Sequence, residues 1–212
     1  MIPIHRFEDQ IQNYEKYPVE TQKVLLYGSS FFAFWGYERA KQQCMEATNG
    51  ALQVVNHGFG GATVEELLYY YHRMVLPYAP RAIVFRTGFN DMPHMDAQEC
   101  MVLTRRLFDW AKNDFPGIKL IAIKGFDHPS AVWENLAKLR QYNRMLDALA
   151  ENDDQLITID LNPFVYGSSS DIGSLRNFKD IFREDGLHLT DEGYVQLAAY
   201  LAPILQKELT FS

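Results

Sequence analysis

Five short apolar runs punctuate the chain, at residues 23–28, 51–56, 81–87, 118–124 and 155–160, each six or seven residues long and rich in Val, Ile and Leu. None alternates strictly. A strand with one wet face alternates apolar and polar positions, whereas a strand covered on both faces need not. The pattern therefore predicts five buried strands of a parallel sheet. Between the runs lie stretches of helical length, several with start signals. Thr63-Val-Glu-Glu66 and Asp96-Ala-Gln-Glu99 each place a capping oxygen three residues ahead of a glutamate. Ser130, after Pro129, is expected to open a helix over 131–150, and Thr190 one that runs to about residue 207. A short helix over about 7–16 precedes the first strand.

The order is β-α repeated five times, and right-handed crossovers place helices on both faces of one sheet. No composition break or Pro/Gly linker divides residues 1–212, so one domain is expected. The stretch 162–184 stands apart: it holds Gly167-Ser-Ser-Ser170 and Gly173-Ser174 and no clear strand. A loop this long in a compact domain is usually functional, and whether it forms a lid stays open from sequence.

In an open parallel sheet, ligands gather beyond the carboxyl ends of the strands. The residues just after each run are Gly28-Ser29-Ser30, then Asn56-His57-Gly58-Phe59-Gly60-Gly61, then Gly88-Phe89-Asn90-Asp91. After the fifth run and its long loop comes Asp185-Gly186-Leu187-His188. Together they supply a hydroxyl, a flexible backbone donor, a side-chain amide and an acid–imidazole pair, the set that acyl transfer through a serine needs. Each has a plainer reading alone. A Ser pair or Asn90-Asp91 can cap a helix, Gly60 and Gly61 can make a tight turn, and Asp-x-x-His is usually a loop pair. Coincidence at four strand ends favours the chemical reading.

These four blocks resemble, in order, those of the SGNH, or GDSL-type, lipases and acylhydrolases, a family named for a Ser, a Gly, an Asn and a His. The matches are Ser30, Gly61, Asn90 and His188, and the likeness runs from about residue 24 to 205. Gly58-Phe-Gly-Gly61 and Val75-Leu-Pro-Tyr-Ala-Pro80 look like one branch of the family. Its first block usually reads Gly-Asp-Ser, where this chain has Gly28-Ser29-Ser30, so Ser29 stands as a rival nucleophile; alignment on the glycine favours Ser30. The resemblance implies a three-layer α/β/α, flavodoxin-like fold with a five-stranded parallel sheet in the order 2-1-3-4-5. It also implies ester cleavage by a Ser30–His188–Asp185 triad, with Ser30, Gly61 and Asn90 as oxyanion donors. Substrate contacts are expected from Ser29, Phe31, His57, Phe89, Phe126 and Leu187, with a short acyl group such as acetyl as first choice. His128 is a further candidate for the pocket wall.

Composition removes several other classes. Twenty Lys and Arg against 27 Asp and Glu give a net charge of −7, with no basic stripe to neutralise phosphates or to hold an anionic membrane surface. No apolar run approaches the roughly 20 residues that cross a bilayer, and the first residues lack the apolar core of a secretory signal; the chain reads as cytoplasmic. Cys44 and Cys100 are read as buried reduced thiols without metal-ligand spacing. No cofactor or metal is expected, and the partner is a small-molecule ester. Oligomeric state stays open, a homo-oligomer included. Gly58-x-Gly60-x-x-Thr63 lacks the third glycine of a dinucleotide fingerprint, and no Gly-x-Ser-x-Gly elbow occurs. The rivals are an acyltransferase with the same triad, a non-catalytic binding module on the same scaffold, and a metal phosphoesterase built on His57, His94 and nearby aspartates.

Overall fold

The computed structural model describes residues 4–166 and 178–210. Five parallel strands, β1 (Val24–Gly28), β2 (Val54–Gly58), β3 (Ala82–Arg86), β4 (Lys119–Ile123) and β5 (Leu156–Ile159), form one sheet in the order β2-β1-β3-β4-β5. Alternate residues feed two cores. Leu25, Tyr27, Val55, Ile83 and Phe85 face one, where α1 (Glu8–Tyr14), α4 (Val64–Met74), α5 (Ala97–Asp114) and α6 (Trp133–Ala150) pack. Val24, Leu26, Val54, Val84 and Ile121 face the other, covered by α3 (Tyr37–Ala47) and α8 (Asp191–Thr210). Cover on both sides is why the strands read as unbroken apolar runs.

The register decides where chemistry can sit. Gly28 at the end of β1 lies opposite Gly58 on β2 and Arg86 on β3. Three chain segments therefore leave the sheet side by side, each heading into one of the blocks singled out by sequence. Before Ser30 comes no spare room: a Cβ on Gly28 would stand 2.7 Å from the Arg86 carbonyl oxygen.

Several boundaries differ from expectation. The second strand begins at Val54, because residues 51–53 complete the exit from α3, where Leu52 N–H donates to Thr48 Oγ1 at 3.0 Å. It continues through His57 and Gly58, polar and small residues that the apolar pattern left outside. The Thr63 and Asp96 capping boxes are formed, and Thr190 Oγ1 accepts from Gly193 N–H at 3.0 Å at the start of α8. Ser130 is not a cap. The helix begins at Trp133, with Val132 before it, and Ser130 instead gives its N–H to the Gly186 carbonyl at 3.1 Å. The expected first helix is shorter, Glu8–Tyr14. Within 162–184 a short helix, α7 (Asn162–Val165), follows β5, and Tyr166 bridges antiparallel to Phe178. Gly167-Ser-Ser-Ser170 and Gly173-Ser174 lie outside the described residues. Among the described residues no helix is long and apolar enough to cross a membrane.

Candidate active site

Ser30 opens α2 (Ser30–Ala33), a single turn that follows β1 directly. Ser29 before it is extended (φ −96°, ψ −152°) and buried, and its carbonyl accepts from the Phe32 and Ala33 N–H groups at 3.0 and 3.1 Å. Asn56, buried in β2, fastens this turn to the neighbouring strand. Its amide donates to the carbonyls of Phe32 (2.8 Å) and Gly36 (3.0 Å), and its oxygen accepts from Gly58 N–H (3.2 Å). With two acceptors and one donor met, its rotamer is fixed, and so is the place of the Ser30 hydroxyl.

The facing pair arrives on a tight turn ahead of α8. Asp185 Oδ1 accepts from the backbone N–H groups of Leu187 and His188, both at 2.9 Å. Gly186 between them takes φ +63°, with Pro129 and Ser130 so close that an added Cβ would stand 3.1 Å from each. The turn aims the other carboxylate oxygen at the ring: His188 Nδ1 lies 2.7 Å from Asp185 Oδ2, and His188 Nε2 lies 3.1 Å from Ser30 Oγ. A carboxylate can only accept, so Nδ1 carries the hydrogen and Nε2 is left to accept from the Ser30 hydroxyl. Those bonds hold the Asp185 carboxyl well below the usual carboxylate range, the His188 side chain first, then the two backbone donors. Phe34 closes one flank, its ring edge-on to the imidazole at 4.4 Å. Ser29 makes no contact of this kind among the described residues, so of the two adjacent serines only Ser30 meets the His188 ring.

The expected oxyanion donors emerge near by. Gly61 lies on the turn after β2, and Asn90 on the one after β3, where its amide donates to the Ala62 carbonyl at 2.9 Å. That bond uses one of the two amide hydrogens. The Ser30 and Gly61 backbone N–H groups make no hydrogen bond among the described residues.

Two neighbouring hollows lie beside the Ser30–His188 contact. A small one of about 20 Å³ is walled by Ser29, Ser30, Phe31, Phe126 and His188, with Arg86 among its lining. A cleft of about 350 Å³ is edged by Gly61, Asn90, His128, Ser130 and Leu136. Phe89 and Leu187 belong to both and form the partition between them. A larger groove of about 660 Å³ runs past Glu65, Glu66, Glu99 and Val102 without touching Ser30 or His188 and shares with the cleft only Thr63 and His94.

One expected pocket residue is misplaced by the sequence reading. His57 does not line the site: it is fully buried (0% exposed) on the opposite face of the sheet, edge-on to Tyr78 at 4.4 Å, with Nδ1 donating to the Met74 carbonyl at 2.7 Å. Strand parity is the reason. Asn56 points toward Ser30, so its successor must point away. Burial holds the His57 imidazole neutral, pulling it down to about 4. His128 does reach the cleft, its Nδ1 3.1 Å from Ser130 Oγ; burial lowers it as well, the Gly186 carbonyl opposing. Among the described residues no group of three or more His, Cys, Asp or Glu side chains could hold a metal.

Two side chains at the site were not singled out by sequence. Asn56 reads as the polar end of an apolar run. Arg86 occupies the last place of β3, 3% exposed, with Nε and Nη1 buried and without a hydrogen-bond partner. A charge closing an apolar strand was the available signal.

Residues 26–196 match the model of the GDSL-like lipase/acylhydrolase family. No curated protein sequence matches the chain. The fold is similar to that of a proposed acylhydrolase from Bacteroides fragilis NCTC 9343, with a TM-score of 0.73 and 18% identity over 99% of this chain and 100% of that one. It is similar to a GDSL-like lipase from Bacteroides thetaiotaomicron VPI-5482, with a TM-score of 0.72 and 18% identity over 97% and 100% of the two chains. A mutant acetyl-xylooligosaccharide esterase from Geobacillus stearmophilus gives 0.64 and 19% over 90% and 96%. At these identities the likeness carries the fold alone.

Proposed function

The chain belongs to the GDSL-like lipase/acylhydrolase family, enzymes that act on ester bonds, and from that premise we propose that it hydrolyses a short-chain carboxylic ester through Ser30, His188 and Asp185. The observation that carries the reading is the unbroken line from the Asp185 carboxylate through the His188 ring to the Ser30 hydroxyl, at 2.7 and 3.1 Å.

In the first half-reaction His188 Nε2 takes the Ser30 proton as Oγ attacks the ester carbonyl. The imidazolium so formed is held by Asp185, which is already ionised and already oriented. Negative charge on the carbonyl oxygen is met by the Ser30 and Gly61 N–H groups and the spare Asn90 amide hydrogen, donors fixed before the reaction begins. Collapse breaks the carbon–oxygen bond to the alcohol, which leaves with the proton from His188. Water then attacks the Ser30 acyl ester by the same route and restores the hydroxyl. The acyl size follows from space. The hollow at Ser30 has about 20 Å³, and a single water needs roughly 10–15 Å³ by the same measure, so the acyl group is short and the alcohol takes the 350 Å³ cleft.

A panel of p-nitrophenyl esters from acetate to palmitate, together with fluorophosphonate labelling and peptide mapping, tests the reading. Turnover that peaks at two to four carbons and a label on Ser30 are expected. A protein that neither turns over any ester nor takes the label is not this kind of hydrolase.

A further inference from the structure

The small hollow beside Ser30 contains a charge that nothing among the described residues balances. Arg86 sits under the nucleophile turn, its carbonyl and Cβ packed against Gly28, and its guanidinium lies among three aromatic rings: Phe126 at 5.1 Å, Phe31 at 5.7 Å and Phe89 at 5.7 Å from ring centroid to the central carbon. Among the described residues it forms no ion pair and no hydrogen bond. The rings offer their faces to the cation, but they cannot accept the in-plane N–H groups. Buried charges are ordinarily paired, because a cation taken out of water loses far more than aromatic faces return. His128, its titratable neighbour, adds no negative charge, and Asp127 is engaged elsewhere, with Arg140 and Tyr166. Burial draws Arg86 down to about 10, which leaves it charged at neutral pH.

A satisfied core would have placed an acceptor there or an apolar side chain instead. The same hollow holds Ser30 and His188 and is walled otherwise by Ser29, Leu187 and aromatic rings, Tyr194 included, none of which accepts from Arg86 Nε or Nη1, so the missing acceptor is supplied from the cleft side. We propose that Arg86 is a specificity-determining residue that pairs with a carboxylate carried on a short acyl arm, making the preferred substrate a half-ester of a small dicarboxylic acid. This rests on the hydrolase reading above and names its substrate class. The acyl arm places its carboxylate against the Arg86 guanidinium, which lines the hollow, while its ester carbonyl lies at Ser30, and the neutral alcohol portion remains in the cleft. A neutral acyl group of the same shape leaves the cation as unpaired as before, so discrimination comes from the penalty as well as from the bond.

The test compares matched esters that differ only in that group: monomethyl malonate against methyl isovalerate, and monomethyl succinate against methyl 4-methylpentanoate, read by methanol release. Wild type is expected to favour the charged member in kcat/KM by roughly 10- to 100-fold, the range of one charge-assisted contact. Malonate or succinate should inhibit competitively and raise Tm. In Arg86→Met the preference should vanish and Tm should rise without ligand, since an apolar chain then fills an apolar cage. Wild type that takes both members equally and ignores the free diacids overturns the role of Arg86, whatever the variant does. Fluorophosphonate labelling separates the two readings: a labelled Ser30 with no charge preference sinks only this inference, while an unlabelled protein sinks the hydrolase reading beneath it.

Discussion

The Ser30 hydroxyl and the His188 imidazole, 158 residues apart in the chain, stand 3.1 Å apart in space. Ser30 is placed by β1 and the Asn56 bonds, His188 by a turn that Asp185 closes, and the two sides are tied where Tyr194 of α8 donates its hydroxyl to the Phe31 carbonyl at 2.8 Å. The contact is therefore preorganised: each partner is held before substrate enters, which is what makes an alkoxide-forming step inexpensive in entropy.

The first consequence concerns the two adjacent serines. Ser30→Ala removes the hydroxyl that lies against His188 Nε2 and should lower kcat by about 10⁵- to 10⁶-fold on p-nitrophenyl acetate. Ser29→Ala keeps that hydroxyl and should cost less than roughly 10-fold, as a small repacking beneath the turn. The reverse ranking would transfer the nucleophile to Ser29.

Replacing Asp185 by Asn removes the acceptor that fixes the ring tautomer. With an amide there, His188 can present its hydrogen to Ser30 instead of a lone pair, and kcat should fall by about 10³- to 10⁴-fold with KM little changed. Because the wild-type carboxyl is held far below its ordinary range, its protonation does not set the acid limb of the rate profile. Steady-state kinetics from pH 5 to 9 checks both points.

Asp91 gives a pH dependence of stability. Its Oδ1 accepts from Val64 N–H at 2.9 Å, whereas Oδ2 is buried without a partner. Burial pushes the carboxyl up from 3.8 to about 6, with Glu65 and Glu66 adding to the rise and the Val64 bond opposing. The folded state thus keeps a proton that the unfolded chain has lost between about pH 4 and 6, so stability falls as pH rises through that window. Asp91→Asn stays neutral and retains an acceptor for Val64. Its stability relative to wild type should climb across the window and level off above it, at a gain on the order of 1–3 kcal/mol. Urea titrations at pH 4.5, 5.5 and 7.5 measure it, and a difference that does not change with pH would contradict the assignment.

Gly88 carries the turn that delivers Phe89 and Asn90. It takes φ +84°, and a Cβ there would lie 2.5 Å from the Tyr142 ring. That ring cannot yield, because its hydroxyl is bonded to Thr87 Oγ1 and Thr104 Oγ1, each at 2.7 Å. Gly88→Ala should cost about 2–4 kcal/mol from strain and overpacking together. Asn90 would move with the turn, so activity should fall even where the variant is folded. Chemical denaturation and kcat on the same preparation report the two effects.

Much of this was legible in the chain. Residues 24–28, 82–86, 119–123 and 156–159 fall within the expected runs because strands buried on both faces write themselves as apolar blocks. The Thr63 and Asp96 boxes were readable because a cap needs only its own first turn. The four blocks at the strand ends marked Ser30, Gly61, Asn90, Asp185 and His188 as candidates, and their order fitted the family. Errors arose where a residue's fate depended on something outside its own segment. Ser130 looks like a cap until Gly186 takes its N–H, and His57 looks like a pocket residue until parity along β2 sends it to the far core.

What the sequence determined alone is therefore what short-range regularity governs: the number of strands, the capping boxes at Thr63 and Asp96, and the kinds of side chain delivered to the sheet edge. The tertiary structure decided which of them meet. Register set Gly28, Gly58 and Arg86 level, the crossovers brought His188 to Ser30 rather than to Ser29, and a guanidinium without a partner among the described residues came to rest under the Ser30 turn. Pattern along a chain records each residue's local environment, but contact between distant segments is fixed by the joint packing of both faces of the sheet, and no single segment contains that information.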